Sequence, residues 1–274
     1  MAIDTLKKAP LGKETFYVSQ YTPSLLCPLP RKSKRDEIGI PATLPFFGVD
    51  IWNAYEVSWL NLKGKPKVAI AEVNIPCESS YLIESKSFKL YLNSFNQTRF
   101  PNGEEVRSTI IRDLNRRTET TVQVRFRYPS DFSTHQLREL SGICIDQLDI
   151  ETDCYQVDAS LLQCSKEIVE EELHSHLLKS NCLVTGQPDW ASVYIHYFGP
   201  KIDHSSLLKY LVSYREHDEF HEQCIERIYM DITKQCQPQK LTIFGMYTRR
   251  GGIDINPFRS NFEACPPKFR TPRQ

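Results

Sequence analysis

Four short stretches of this sequence carry residue types that can do chemistry. In residues 180–189, SNCLVTGQPD, a cysteine at 182 is followed by an aspartate at 189. A thiolate is the strongest common protein nucleophile, and a carboxyl group near it can serve as acid or base. Cys182 can equally be a small buried hydrophobe, as any one of nine cysteines can. No histidine lies within this stretch, although His176 and His221 can reach it in space. His221 and Glu222 stand in DEFHEQC. There a carboxylate either complements a helix dipole or accepts two parallel hydrogen bonds from a guanine-like N–H and exocyclic amine. Glu84, Ser85, Lys86 and Lys89 stand in ESKSFKLY, where the serine is an ordinary helix cap or part of a phosphate cradle with the two lysines. Arg249, Arg250, Gly251 and Gly252 form either a solvated turn or a grip on phosphate or sugar.

The elements that must position these residues follow from periodicity. Residues 1–50, rich in proline and basic residues, read as an extended arm. Residues 55–60 and 67–75 are apolar, β-branched runs joined by LKGKP, which predicts a hairpin. Residues 87–95 and 104–114 have helical spacing, with Asn102 and Gly103 at the second helix's start, and 121–128 returns to strand. The order then repeats: YLNSF at 91–95 resembles YLVSY at 210–214, residues 103–114 align with 221–232, and 121–128 with 241–248. The repeat makes IVEEELHSHLL at 168–178 a strand although its periodicity also fits a helix. It also places Cys182 and Asp189 on an enlarged hairpin loop, KSNCLVTGQPD, where the first module has only LKGKP. The expected division is an arm over 1–50, a first module over 51–160 and a second over 161–274.

Composition narrows the function classes. The chain has 274 residues, 40% hydrophobic and 25% charged, with 34 basic against 34 acidic side chains, so bulk charge argues for neither nucleic-acid nor membrane-surface binding. No signal-peptide core and no run of about 18 apolar residues occurs, which reads as a soluble, cytoplasmic protein. The cysteines are scattered without a CxxC pair, so they read as thiols, and no metal site is expected. Neither a dinucleotide-fold GxGxxG nor a P-loop is present.

Taken together, ESKSFKLY, NCLVTGQPD, the HE pair after EF, and TRRGGIDINP resemble the NADPH-dependent 7-cyano-7-deazaguanine reductases of queuosine biosynthesis in their two-module form. The resemblance spans nearly the whole chain. It implies an α+β fold of tandem tunnelling-fold modules, each an antiparallel sheet with two helices on one face. Single-module members carry all the motifs together. Here the first module has ESKSFKLY and the second has the Cys loop, HE and TRRGG, which implies that one complete site draws on both.

The resemblance further implies that Cys182 adds to the nitrile to form a thioimide while Asp189 delivers a proton. Ile83, Glu84, Ser85, His221 and Glu222 would bind the deazaguanine, and Ser85, Lys86, Arg250 and Gly251 would bind NADPH, two per turnover. The partner is then a small molecule, with no metal, no nucleic acid and no membrane, and the chain is a homodimer. Two other classes stand beside this reading: a cysteine-dependent amidohydrolase or nitrilase acting on a purine-like ligand, and a non-catalytic purine-binding module.

Overall fold

The computed structural model describes residues 17–134, 136–266 and 269–274. The chain forms two compact units: one gathers the described part of Met1–Glu37 with Val49–Gln136 and Arg249–Asp254, the other Ile38–Gly48, Leu137–Thr248 and Ile255–Gln274. The units interleave rather than dividing at 50 and 160, and the turn at 249–252, expected with the second module, clusters with the first unit. The reading of the first sixteen residues lies outside the described residues.

In the first unit the chain order is β1 (Pro28–Pro30), α1 (Lys32–Glu37), β2 (Phe47–Leu60), β3 (Pro66–Pro76), β4 (Tyr81–Ile83), α2 (Ser85–Asn93), α3 (Gly103–Thr118) and β5 (Gln123–Arg127). The expected arm is partly built structure, since β1 pairs antiparallel with β4, Leu29 opposite Leu82. Strands β2, β3 and β5 form an antiparallel ladder. Trp52, Ala54, Val57 and Trp59 of β2 are buried, as are Ala69, Ala71, Val73 and Ile75 of β3. This is the period of two that one covered face requires. A bulge between Ala54 and Val57 inserts the one residue that keeps both on that face. Helix α3 buries Val106, Ile110 and Leu114 as a single stripe, and Phe88 of α2 meets Trp52 edge-on with centroids 5.4 Å apart.

The second unit holds β6 (Ile143–Cys144), β7 (Cys164–Asn181), β8 (Pro188–Ile202), α4 (His204–Val212), α5 (His221–Cys236), β9 (Lys240–Tyr247) and, from Ile255 onward, β10 (Ile253–Ser260). Residues 168–178 are strand, as the module comparison requires. The pairs β7–β8, β8–β9 and β9–β10 are antiparallel, while β6 joins β7 in parallel.

The duplication is written in equivalent hydrogen bonds, each inside its own unit. Tyr91 Oη donates to Asp113 and Tyr210 Oη to Asp231, both at 2.7 Å. Ser94 Oγ donates to the Tyr91 carbonyl and Ser213 Oγ to that of Tyr210, both at 2.6 Å. Helices α3 and α5 both stop on a left-handed residue other than glycine, Glu119 at φ 56° and Gln237 at φ 50°. The class is therefore the expected one, α+β, with largely antiparallel ladders and a duplicated pattern of elements.

Candidate active site

The hairpin carrying Cys182 differs from the expected one. β7 runs to Asn181 and β8 begins at Pro188, so only residues 182–187 form the loop and Asp189 sits on a strand. The longer hairpin arises in its strands, not in an enlarged loop. Gly186, at φ 64°, closes the turn. Its N–H donates to the Cys182 carbonyl and the Cys182 N–H donates to the Gln187 carbonyl, both at 2.9 Å. Cys182 thus lies opposite Gln187, and Ser180 lies opposite Asp189. Asp189 is then the diagonal neighbour of Cys182 on the same face, where sheet geometry sets roughly 7–8 Å between positions and less between side chains. Both are buried, at 6% and 5% exposure.

His221, the first residue of α5, brings Nε2 to 3.2 Å from Oδ2 of Asp189. Its ring stacks on Tyr247 with centroids 3.8 Å apart and planes 9° from parallel. Nδ1 of His221 is buried with no hydrogen-bond partner among the described residues, and an uncompensated polar atom of this kind is costly unless something meets it. Glu222 beside it is buried. Burial, reinforced by Cys224 and Asp189, holds the Tyr247 phenol well above its ordinary pKa, so the stacking partner stays neutral.

The segment before α5 is laced to the base of the Cys loop. The Asn181 N–H donates to the His217 carbonyl at 2.8 Å, and the Glu219 N–H to the Asn181 carbonyl at 3.0 Å. The buried Glu219 carboxylate then accepts from Nε and Nη2 of Arg227 on α5, at 3.0 and 2.8 Å, and pairs with His217 at 3.0 Å. Burial opposes ionisation of Glu219, but the hydrogen bonds from His217 and Arg227 outweigh it and hold its pKa below the ordinary value. Sequence reasoning missed Glu219 and Arg227. Its only available signal was an acidic residue just ahead of a helix with an arginine two turns on.

The first unit holds the other predicted residues. The cap of α2 is Glu84 rather than Ser85: Oε1 accepts from the Lys86 N–H and Oε2 from the Ser87 N–H, both at 2.7 Å. Burial pushes the Glu84 carboxyl up against those two bonds. Ile83 is buried at the end of β4, and Ser85 and Lys86 are half-buried in the first turn of α2. Lys86 and Lys89 line a cavity of about 200 Å³ with Glu56, Asn93, Gly251 and Gly252. In the turn there, the Arg250 N–H donates to the Ile253 carbonyl at 2.9 Å, with Gly251 at φ 54° and Gly252 at φ 78°. A Cβ on Gly252 would come 2.4 Å from the Glu56 carboxyl carbon, and one on Gly251 3.1 Å from Lys89 Nζ. The turn is pinned because Arg249 lies 3.7 Å over the Tyr55 ring and Tyr55 Oη donates to Asp254 at 2.6 Å. Two lysines and a glycine turn suit the phosphate-bearing end of a dinucleotide. The volume fits part of such a ligand, against about 300–1,000 Å³ for the pocket of a drug-sized one.

Residues 17–126 match the family model described as "Nitrile reductase, 7-cyano-7-deazaguanine-reductase N-term", and residues 188–265 match one described as "QueF-like protein". Curated relatives named NADPH-dependent 7-cyano-7-deazaguanine reductase, from Ralstonia nicotianae and Cupriavidus metallidurans, are each 56% identical over 271 residues, covering 97% of this chain and 98% of theirs. That of Paraburkholderia phymatum is 54% identical over 273 residues, covering 98% and 100%. A solved archaeosine synthase QueF-Like in the apo form aligns with 36% of this chain and 98% of its own, at 15% identity and TM-score 0.31, a likeness too loose to carry an argument. No helix among the described residues is long and apolar enough to cross a membrane.

Proposed function

This chain belongs to the NADPH-dependent 7-cyano-7-deazaguanine reductase family, and we propose that it reduces the nitrile of 7-cyano-7-deazaguanine to 7-aminomethyl-7-deazaguanine, a step of queuosine biosynthesis, through a thioimide on Cys182. The observation that carries the mechanism is the diagonal placement of Cys182 and Asp189 on one buried hairpin face, with His221 on Asp189.

A nitrile carbon accepts hydride poorly, and covalent addition lowers that barrier. The Cys182 thiol gives its proton to Asp189 and sulfur bonds to the nitrile carbon. Asp189 returns the proton to the nitrile nitrogen, leaving a C=N bond open to reduction. NADPH, when bound, supplies the hydrides, two per substrate. The carbon–sulfur bond then breaks, Cys182 departs as thiolate, and an imine remains for the second reduction. A free imine would hydrolyse, so the burial of Cys182 and Asp189 serves to keep water out. His221 relays protons to Asp189 and shields the site.

Glu222 holds the pyrimidine edge of the base through charge-assisted hydrogen bonds. Ser85, Lys86, Arg250 and Gly251 hold NADPH. The enzyme acts in the cytoplasm as a homodimer and engages no nucleic acid. Two equivalents of NADPH consumed per 7-cyano-7-deazaguanine is the expected stoichiometry. Ammonia release without NADPH oxidation would instead favour an amidohydrolase.

A further inference from the structure

The two-residue strand β6 lies parallel to β7, with Cys144 directly opposite His174. His176 follows two positions along β7, so the register gathers a thiol and two imidazoles. One ligand atom from each of Cys144, His174 and His176 lies within 4.8 Å of the others, and the two rings sit 5.3 Å apart. Both rings are oriented by their remaining nitrogens. Nδ1 of His174 is 2.9 Å from the Ser141 carbonyl. A carbonyl only accepts, so Nδ1 carries the proton and Nε2 is left as a lone-pair donor to a metal. Nδ1 of His176 is 2.7 Å from Ser192 Oγ. Metal-ligating histidines are held in this way, with the second ring nitrogen engaged by a carbonyl or other polar group that fixes tautomer and orientation.

Charge agrees with the donor set. Asp146 Oδ2 accepts from the backbone N–H of His176 at 2.9 Å, while its Oδ1 is buried with no hydrogen-bond partner among the described residues. One thiolate and one nearby carboxylate balance a divalent ion. Sulfur with two imidazoles suits Zn²⁺ rather than Mg²⁺ or Ca²⁺. A second cluster, His217 with Glu219 and Cys224, is a poorer candidate, because Arg227 already places a cation on both Glu219 oxygens.

We propose that Cys144, His174 and His176 form a Zn²⁺ site, its fourth position taken by water, which clips the two-residue β6 onto β7. A three-ligand zinc site with bonds of roughly 2.0–2.3 Å keeps such an open position. The ligands come from two strands, which is why the absence of a CxxC pair does not exclude the site.

The test uses the full chain purified without a polyhistidine tag, incubated with ZnCl₂, freed of excess metal and measured by elemental mass spectrometry, with a parallel titration using Co²⁺. The expected result is one zinc per chain, together with a thiolate-to-cobalt charge-transfer band and the visible bands of tetrahedral Co²⁺. Cys144 is exposed, so Cys144→Ser leaves packing intact. It should abolish the charge-transfer band and weaken zinc binding by at least about tenfold, with an unchanged circular dichroism spectrum. Substoichiometric zinc in the wild-type chain, or undiminished binding and an unchanged cobalt band in Cys144→Ser, overturns the proposal.

Discussion

Nε2 of His221 stands 3.2 Å from Oδ2 of Asp189 while the same ring lies flat on Tyr247. The stack fixes the plane of the imidazole, and the contact of Nε2 with Asp189 fixes the edge presented to the acid. His221→Phe keeps the stack and removes the nitrogens. It should leave the melting temperature within a few degrees and still allow covalent attachment at Cys182, but lower kcat by on the order of 100-fold. Steady-state kinetics beside a thermal melt checks this, and an unchanged kcat would remove His221 from proton transfer.

Glu219 should act through the fold. Since its folded pKa is depressed, its ionisation stabilises the native state above the unfolded value near 4.5, and that stabilisation is lost as pH falls through the lower folded value. Glu219→Ala leaves Arg227 without its buried partner and should cost roughly 3–5 kcal/mol at neutral pH. Urea unfolding at several pH values should show the gap between wild type and variant narrowing below about pH 4.5; a gap independent of pH contradicts the assignment.

The glycine turn and Lys86 should separate cofactor handling from covalent chemistry. Gly252→Ala is strained at φ 78° and drives a Cβ toward the Glu56 carboxylate, and Lys86→Ala removes a cation from the same cavity. Both should raise KM for NADPH by at least about tenfold, the scale of one lost charged contact, while the Cys182 adduct still forms. Loss of adduct and reduction together would mean that the ESKS segment has another role.

The repeated tyrosine–aspartate bonds should not cost the same. Tyr210→Phe leaves buried polar groups short of a partner, an effect of about 1–3 kcal/mol. Tyr91→Phe should cost less, because Tyr21 Oη also donates to Asp113, at 2.6 Å. Equal shifts in urea midpoint would contradict this reading of the two modules.

Much of this was legible in the chain because duplication and period-two burial leave strong local marks. The alignment of YLNSF with YLVSY pairs Tyr91 with Tyr210, whose hydroxyls make equivalent hydrogen bonds, and the repeat also overrides the helical periodicity of residues 168–178. Asn102, expected at the start of its helix, caps it by accepting from the Glu105 N–H. The misreadings lie where local preference competes with pairing. Gly186 and Pro188 signal a turn that would place Asp189 in a loop, yet β8 begins at the proline itself. Ser85 looked like the cap of α2, but Glu84 reaches two N–H groups at once. Glu219 and the Cys144, His174 and His176 cluster were invisible, because each depends on which strand or segment lies alongside, and sequence spacing does not encode that.

Intact-protein mass spectrometry after incubation with 7-cyano-7-deazaguanine and no NADPH tests the central claim most directly. The wild-type chain should gain the mass of one substrate, mapped by peptide digestion to Cys182, and the adduct should disappear with product formation once NADPH is added. No adduct on the wild-type chain, or a Cys182→Ala variant that still turns over, would contradict covalent catalysis at this residue.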